Sequence, residues 1–526
     1  MKLMKLMKHI WIIAGLSFLV SCSDFLEERS QDTYYITSYT DLDELLIGDC
    51  YLSVNPASEL VYTTDPGYFI HYLADEIEEH TDGELSYTST QDCNEAIFGY
   101  YTWQQRVGQT YNYNGYLSEN LTWKEIYRLI NVANNIIDCT KNVPQETEEE
   151  KLEVRRVNGE AHFLRAAYYF WLVNLYGKPY TKATADTDLG VPVKISSEVN
   201  DVIFSRSTVQ EVYNLVLSDL KQAEADLTVS RKLETIYRAD ITAVHLLMSR
   251  VYLYMQDWTM AKKYADKVLE THSELVDLHT LNGSFLTKSS VENIFSMGGA
   301  EIPCSMCNYD PSFRVSHDLY DAYDDNDLRK NAFWWKRGNF VGYVKLEVPP
   351  MDYDTDPDDK YYYEEMFYLP SRNMKASVSD RFLFRTAEAY LNKAEAEAYL
   401  GNESDARDAL NDLYVKRYEQ GNGYDCSGED LVKAIRKERR LELALEGHRW
   451  FDLRRYSVCE KYPESKRIVH EYTYYEDYNM IERHRFVLEE FDAAYTLPIP
   501  QEVIEFNVGM PNNERPVRNH TVVPIE

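Results

Sequence analysis

The sequence predicts an all-α protein, a TPR-like scaffold of helical hairpins interrupted by long irregular, loop-rich insertions. Three observations predict it. Apolar residues recur at helical spacing along most of the chain, and the pattern breaks in two long stretches, from Leu52 to about Ser118 and from 273 to 380. Two segments, 239–272 and 384–418, each read as a helix, a tight turn and a second helix. Each covers about 34 residues, the period of tetratricopeptide hairpins, which stack because a single hairpin cannot bury its own apolar face.

The chain opens with MKLMKLMKHIWIIAGLSFLVSC, in which Lys2, Lys5 and Lys8 precede an apolar run from Ile10 to Val20 too short to span a bilayer. Residues 1–21 are therefore predicted to be an export signal. Leu19, Val20, Ser21 and Cys22 match a bacterial lipobox, so Cys22 is the predicted lipidation site. Each acyl methylene buried in a membrane contributes about 0.8 kcal/mol, which tethers a protein without making it span. The mature chain is divided into a helical half, 22–272, and a second half, 273–526, that holds the insertion 273–380 and a signature segment at 434–456.

A first helix is expected from Tyr39 to Leu52, with Leu42, Leu45, Leu46 and Cys50 on one side. The irregular stretch that follows holds Asp75 and Glu76, the cluster Tyr100, Tyr101 and Trp103, and then Tyr111, Tyr113 and Tyr116. Loops of this kind tend to carry recognition residues. Helices resume at LTWKEIYRLINVANNIIDCT, which buries Trp123, Ile126, Tyr127 and Ile130, and continue in VRRVNGEAHFLRAAYYFWLVNLY, ended by Gly177 and Pro179. Thr208, with Glu211 three residues on, forms a capping box for the next helix. The hairpins turn at Gln256-Asp257 and Gly401-Asn402, and Ala243, Ala261 and Ala265 lie where two helices must approach closely.

The signature segment reads AIRKERRLELALEGHRWFDLRRY. Ala434, Glu438, Leu441, Leu445 and His448 share one helix face, which puts Glu438 inside an apolar stripe. A carboxylate there needs a partner, and Arg436, Arg439 and Arg440 lie within a turn, with Arg439 in reach of Glu442. The expected arrangement is a partly buried ion-pair ladder. Gly447 marks a bend into a second amphipathic stretch with Trp450, Phe451 and Leu453. Glu438, Glu442 or Glu446 could serve as acid or base, but buried Glu and Arg in matched numbers more often fix packing register.

The formal charge of −32 argues against nucleic acid or an anionic membrane surface as a partner. The 44 tyrosines offer flat apolar faces with hydroxyl tips, most of them expected between helices. No metal site is predicted: Cys304 and Cys307 form a CxxC without a second pair or a nearby His, a spacing also compatible with a local disulfide. Asp352, Asp354, Asp356 and Asp358 begin like a calcium loop, but Pro357 replaces the turn glycine and Tyr363 the bidentate Glu, so a solvated acidic loop is expected. The chain has no phosphate-cradling glycine loop, GxSxG or HExxH motif, so neither a cofactor nor a catalytic constellation is predicted.

The run KERRLELALEGHRWFDLRR resembles the C-terminal signature of the SusD family, also called RagB/SusD. Further pieces resemble the same family: Trp123 with Ile126-Tyr127, Ile130 and Ala133-Asn134; GEAHFLRAAYYFWLVNLYG; Arg206 to Val209; and the closing LPIPQEVIEFN. Met510, Pro511, Asn512 and Asn513 stand where the family has Gln-Asn-Pro. The resemblance implies an outer-membrane lipoprotein exposed at the cell surface, with Asp24, Glu27 and Glu28 similar to the family's acidic export signal. It implies further that the scaffold docks on a SusC-like TonB-dependent transporter and closes as a lid over an oligosaccharide or other nutrient.

A sugar needs flat rings against its C–H faces and polar side chains for its hydroxyls. The predicted rings are Tyr100, Tyr101, Trp103, Trp334 and Trp335, and the predicted polar partners are Asp75 and Arg329. Two other readings stand beside this one. The same scaffold could capture peptides, and an all-helical glycosidase would need two facing carboxyls about 5 to 9.5 Å apart in a cleft.

Overall fold

The computed structural model describes residues 36–52, 66–80, 91–198, 202–230, 232–299, 313–346, 377–476 and 479–524. The export signal, Cys22, the acidic residues after it, the Cys304–Cys307 pair and the tract from Asp352 to Asp358 lie outside the described residues.

The scaffold is helical. Its longer helices are α1 (Tyr39–Leu45), α2 (Gln91–Tyr101), α3 (Leu121–Cys139), α4 (Glu148–Tyr176), α5 (Val209–Leu227), α6 (Ile241–Tyr254), α7 (Trp258–Thr271), α8 (Thr386–Leu400), α9 (Glu403–Tyr414), α10 (Gly428–Glu442) and α11 (Arg449–Ser457). The helix expected to reach Leu52 changes at Leu46 into one wider π-turn, Leu46–Cys50. From α3 to α9 each helix packs on the next, and α8 also packs on α10. The contact of α7 with α8 carries the stack across the insertion.

Local chemistry sets the ends of these helices. Thr208 Oγ1 accepts the Glu211 N–H at 3.1 Å while the Glu211 carboxylate accepts the Thr208 N–H at 2.8 Å, the predicted capping box. Thr147 and Glu150 repeat it at the start of α4. Both hairpin turns use left-handed backbone, Gln256 at φ 57 and Gly401 at φ 86. At Gly159 a Cβ would meet Leu227 Cγ at 2.8 Å, so the missing side chain is what lets α4 close on the end of α5.

Short antiparallel pairs decorate the helices: β1 (Ile77–Glu79) with β3 (Phe313–Val315), β2 (Asn293–Ser296) with β6 (Leu383–Arg385), and β4 (Trp334–Arg337) with β5 (Phe340–Tyr343). The Tyr-rich stretch after the signature segment, left without an element in the sequence reading, forms a long hairpin, β7 (Ile468–Glu476) and β8 (Asn479–Leu488), joined by β9 (His520–Val523). Ile468, His470 and Tyr472 alternate inward from β7 and meet Phe486 and Leu488 of β8. One apolar core gathers residues from Leu42 to Met510, and a smaller cluster fills the space between α8, α9 and α10.

The signature segment sits at the centre. Left-handed Leu445 (φ 55) and Gly447 (φ 76) turn the chain between α10 and α11, and an ion-pair ladder is there, fully rather than partly buried and with its cations from other segments than Arg436, Arg439 and Arg440. Glu442 accepts from Arg417 (2.9 Å), Arg385 (2.7 Å) and Arg329 (3.1 Å). Glu446 takes Arg385 at 2.8 Å and also Lys345. Glu438 holds Arg329 at 3.0 Å and accepts from the Tyr418 hydroxyl. Arg417 and Arg385 also grip Glu292 at 2.5 and 2.8 Å. Burial pushes the Glu442 carboxyl up, but Arg417, Arg385 and Arg329 more than reverse this and hold it well below the usual range. One expected pair is corrected: Arg439 does not meet Glu442 but clasps Asp452 of α11 at 2.9 Å, because the bend swings α11 back across it. Since Glu292, Arg329 and Lys345 come from the insertion, the ladder also ties that segment to the scaffold.

Candidate functional site

Most of the residues predicted to face a ligand are part of the frame. Trp103 has left-handed backbone (φ 52) and is 0% exposed. Its indole N–H donates to Leu73 O at 3.0 Å, and its ring stacks on His470 at 4.4 Å. Tyr101 stacks on the same imidazole at 4.1 Å, and its hydroxyl accepts the Glu79 N–H at 3.0 Å. Burial pushes the His470 pKa down to about 4. Tyr100 lies flat on Phe69 at 3.9 Å. The expectation that these rings are exposed is corrected: β7 lays its inward His470 on Tyr101 and Trp103, and Tyr100 is buried against Phe69 and Tyr68.

The polar candidates share that fate. Asp75 is clasped by Arg449 at 2.7 Å, Lys466 at 2.6 Å and Arg440 at 3.1 Å. Burial raises its carboxyl, yet Arg440 and Arg449 bring it well below the usual range. Beside it, burial and the Asp75 charge push Glu76 up to about 8. Arg329, 0% exposed, belongs to the ion-pair ladder and also forks onto Asp327 at 2.7 Å. Trp334 is buried among Tyr323, Phe333 and Tyr343. The carboxylates weighed as acid or base, Glu438, Glu442 and Glu446, are buried against cations and face no cleft among the described residues.

Trp335 differs. Alternation along β4 points it away from Trp334, and it stays half-buried. Its ring lies across the opposite strand, where a Cβ on Gly342 would fall 2.0 Å from the indole nitrogen, so glycine is what seats it. Phe340 supports the ring at 5.0 Å and in turn meets His80 edge-on at 5.0 Å.

The pairing of β1 with β3 brings a polar rim to this face. Arg314 of β3 sits opposite Glu78 of β1, bonds it at 2.8 Å, and donates to Asn339 O at 3.1 Å in the β4–β5 turn. His317 Nδ1 lies 2.5 Å from the same Glu78 carboxylate. By the same alternation Lys336 points with Trp334, away from Trp335, and its ammonium and that of Lys330 lie 5.0 and 5.3 Å from the centre of the Tyr320 ring on that other side. The Trp335 face thus offers a half-buried indole backed by Phe340 and, at its rim, an arginine, a carboxylate and an imidazole, a set able to stack on and hydrogen-bond a hydroxylated ring. Sequence spacing carried no signal for Glu78 with Arg314 and His317, since only the pairing of β1 with β3 brings them together.

Among the described residues no group of three or more His, Cys, Asp or Glu could hold a metal ion, and no helix is long and apolar enough to cross a membrane.

Comparison with known proteins points the same way in both halves of the chain. A profile described as the SusD family matches residues 309–515, and one described as starch-binding associating with outer membrane matches 66–253. The SusD-like protein P38 of Formosa agariphila is 26% identical over 391 residues, covering 64% of this chain and 72% of that protein. The SusD-like protein P25 of the same organism is 22% identical over 519 residues, covering 87% and 90%. A crystal structure described as a SusD-like carbohydrate binding protein from Bacteroides vulgatus superposes with a TM-score of 0.65 at 19% identity, over 91% of this chain and 98% of that one. At that identity the likeness speaks for the fold.

Proposed function

The chain belongs to the SusD family, and from that premise we propose that it is a surface-exposed outer-membrane lipoprotein that captures a carbohydrate for a SusC-like TonB-dependent transporter, over which it closes as a lid. The observation that carries the binding role is Trp335, a half-open indole seated on Gly342 beside the Arg314–Glu78–His317 rim. In this reading a pyranose ring lays its C–H face on Trp335, and the Arg314–Glu78–His317 rim engages its hydroxyls. The buried rings around His470 and the ladder around Glu442 hold that face in shape and touch no ligand. The lipid on Cys22 tethers the chain to the outer membrane, and the stacked hairpins supply the docking surface.

The chemistry is recognition and gating, with no bond broken. Each neutral hydrogen bond exchanged with water contributes only about 0.5–1.5 kcal/mol. A site of one or two rings and a few such bonds therefore binds with about 4–8 kcal/mol, micromolar to millimolar. Titration calorimetry of the purified chain against a panel of gluco-, xylo-, manno- and galacto-oligosaccharides tests this, with chromatography of each mixture afterwards. The expected result is binding in that range and oligosaccharides of unchanged length. Shortened products would replace this reading by glycoside hydrolysis, and binding of peptides with no glycan bound would replace it by peptide capture.

A further inference from the structure

The loop 109–117 is built with more care than the Trp335 face requires. Gln109 and Tyr116 form an antiparallel bridge, and inside it Thr110 N–H donates to Gly115 O at 3.2 Å and Tyr113 N–H to Thr110 O at 3.0 Å. Asn112 Oδ1 accepts the Asn114 N–H at 3.0 Å. The loop is fully braced, yet Tyr113 within it has φ 58, left-handed backbone that suits glycine or asparagine and strains an aromatic residue. The Tyr113 hydroxyl bonds Gln104 and Phe98 lies against the ring, yet the ring remains 45% exposed.

The surroundings extend that ring into a surface. Phe98 braces it edge-on at 5.9 Å, and His520 of β9 lies nearly parallel to it at 6.5 Å. His520 stacks on His484 at 3.8 Å, and His484 meets Tyr474 at a tilt of 49°, 4.4 Å away. Burial and the neighbouring His484 lower the His520 pKa. Tyr116, 53% exposed, has the Arg106 guanidinium 3.7 Å over its ring, and Glu119 holds that guanidinium at 2.8 Å. Asn112 and Asn114 are exposed beside these rings. Flat ring faces flanked by carboxamides are the groups that suit the C–H faces and hydroxyls of a neutral sugar.

We propose that Tyr113, His520 and Tyr116 form a second carbohydrate platform, sharing no residue with the Trp335 face, which keeps a strained tyrosine where glycine would be easier. This rests on the carbohydrate reading above. The test is affinity gel electrophoresis of the whole chain through native gels containing starch, xylan, galactomannan or laminarin, comparing wild type with Tyr113→Gly, Tyr113→Phe, His520→Ala and Trp335→Ala. Where wild type is retarded, Tyr113→Gly and His520→Ala should each weaken binding at least threefold, and Tyr113→Phe should keep it. The thermal midpoint of Tyr113→Gly should stay level or rise, since glycine relieves the strain, so a loss of binding cannot be assigned to unfolding.

Tyr113→Gly and His520→Ala both retarded like wild type, in a gel where Trp335→Ala runs free, would overturn the second platform and leave the first standing. Wild type unretarded in every gel would sink both.

Discussion

The junction of α10 and α11 and the face made by β4 and β5 are assembled from the same kinds of side chain, arginine, glutamate and large rings, to opposite ends. At the junction the packing continues until nothing is left over: Arg329, Arg385, Arg417, Glu442 and Glu446 are at most 1% exposed, and each has an opposite charge in contact. On the β4–β5 face the packing stops halfway, with Trp335 lying over Gly342 and the Arg314–Glu78 pair at the rim. Residue chemistry does not separate frame from site here. What separates them is whether a later segment of chain folds over the group: β7 covers Trp103 and Tyr101, and nothing among the described residues covers Trp335 to the same degree.

The comparison breaks most violently at the ladder. Glu442→Ala removes the carboxylate shared by Arg417, Arg385 and Arg329, and stranding buried charge in this way costs about 3–5 kcal/mol. Urea unfolding should show a loss of that size or no folded protein at all, whereas a loss under 1 kcal/mol would mean that the guanidinium groups find other partners. Trp103→Ala should rank next, at about 3–5 kcal/mol for an aromatic cavity. Whatever remains folded should bind oligosaccharide as wild type does, and a selective loss of binding would return Trp103 to the ligand site.

The third test uses pH. The folded chain holds the Glu76 proton up to about 8, whereas in an unfolded chain it leaves near pH 4.3. This group's contribution is therefore full below about pH 4 and is lost as pH rises through about 8. Glu76→Gln stays neutral throughout, so its thermal midpoint should gain on wild type between about pH 5 and pH 9. A gap that narrows over that range would contradict the assignment. The smallest effect belongs to the helix ends: Thr208→Ala should cost about 1 kcal/mol through the lost cap on α5, with no change in binding.

Features that depend on neighbours in sequence were legible from the residues alone. The hairpin turns at Gln256 and Gly401, the Thr208–Glu211 box and the need of Glu438 for cationic partners all follow from spacings of one helical turn or less. Features that depend on distant partners were not. Arg439 was matched with Glu442 three residues on, and it chose Asp452 once Leu445 and Gly447 bent the chain. Tyr101 and Trp103 carry the composition of a binding loop, and their burial is decided by His470, more than 360 residues away. Likewise Glu78 and Arg314 meet through β1 and β3, strands of three residues each, too short to leave a periodic trace.

Trp335→Ala, measured for both stability and oligosaccharide affinity on the same preparation, addresses the division between buried frame and open face most directly. The half-buried ring should cost less than about 1.5 kcal/mol of stability on removal, while affinity for the oligosaccharide that wild type binds should fall at least tenfold. A variant that binds that oligosaccharide as tightly as wild type, or one that loses stability on the scale of Trp103→Ala, would contradict the division.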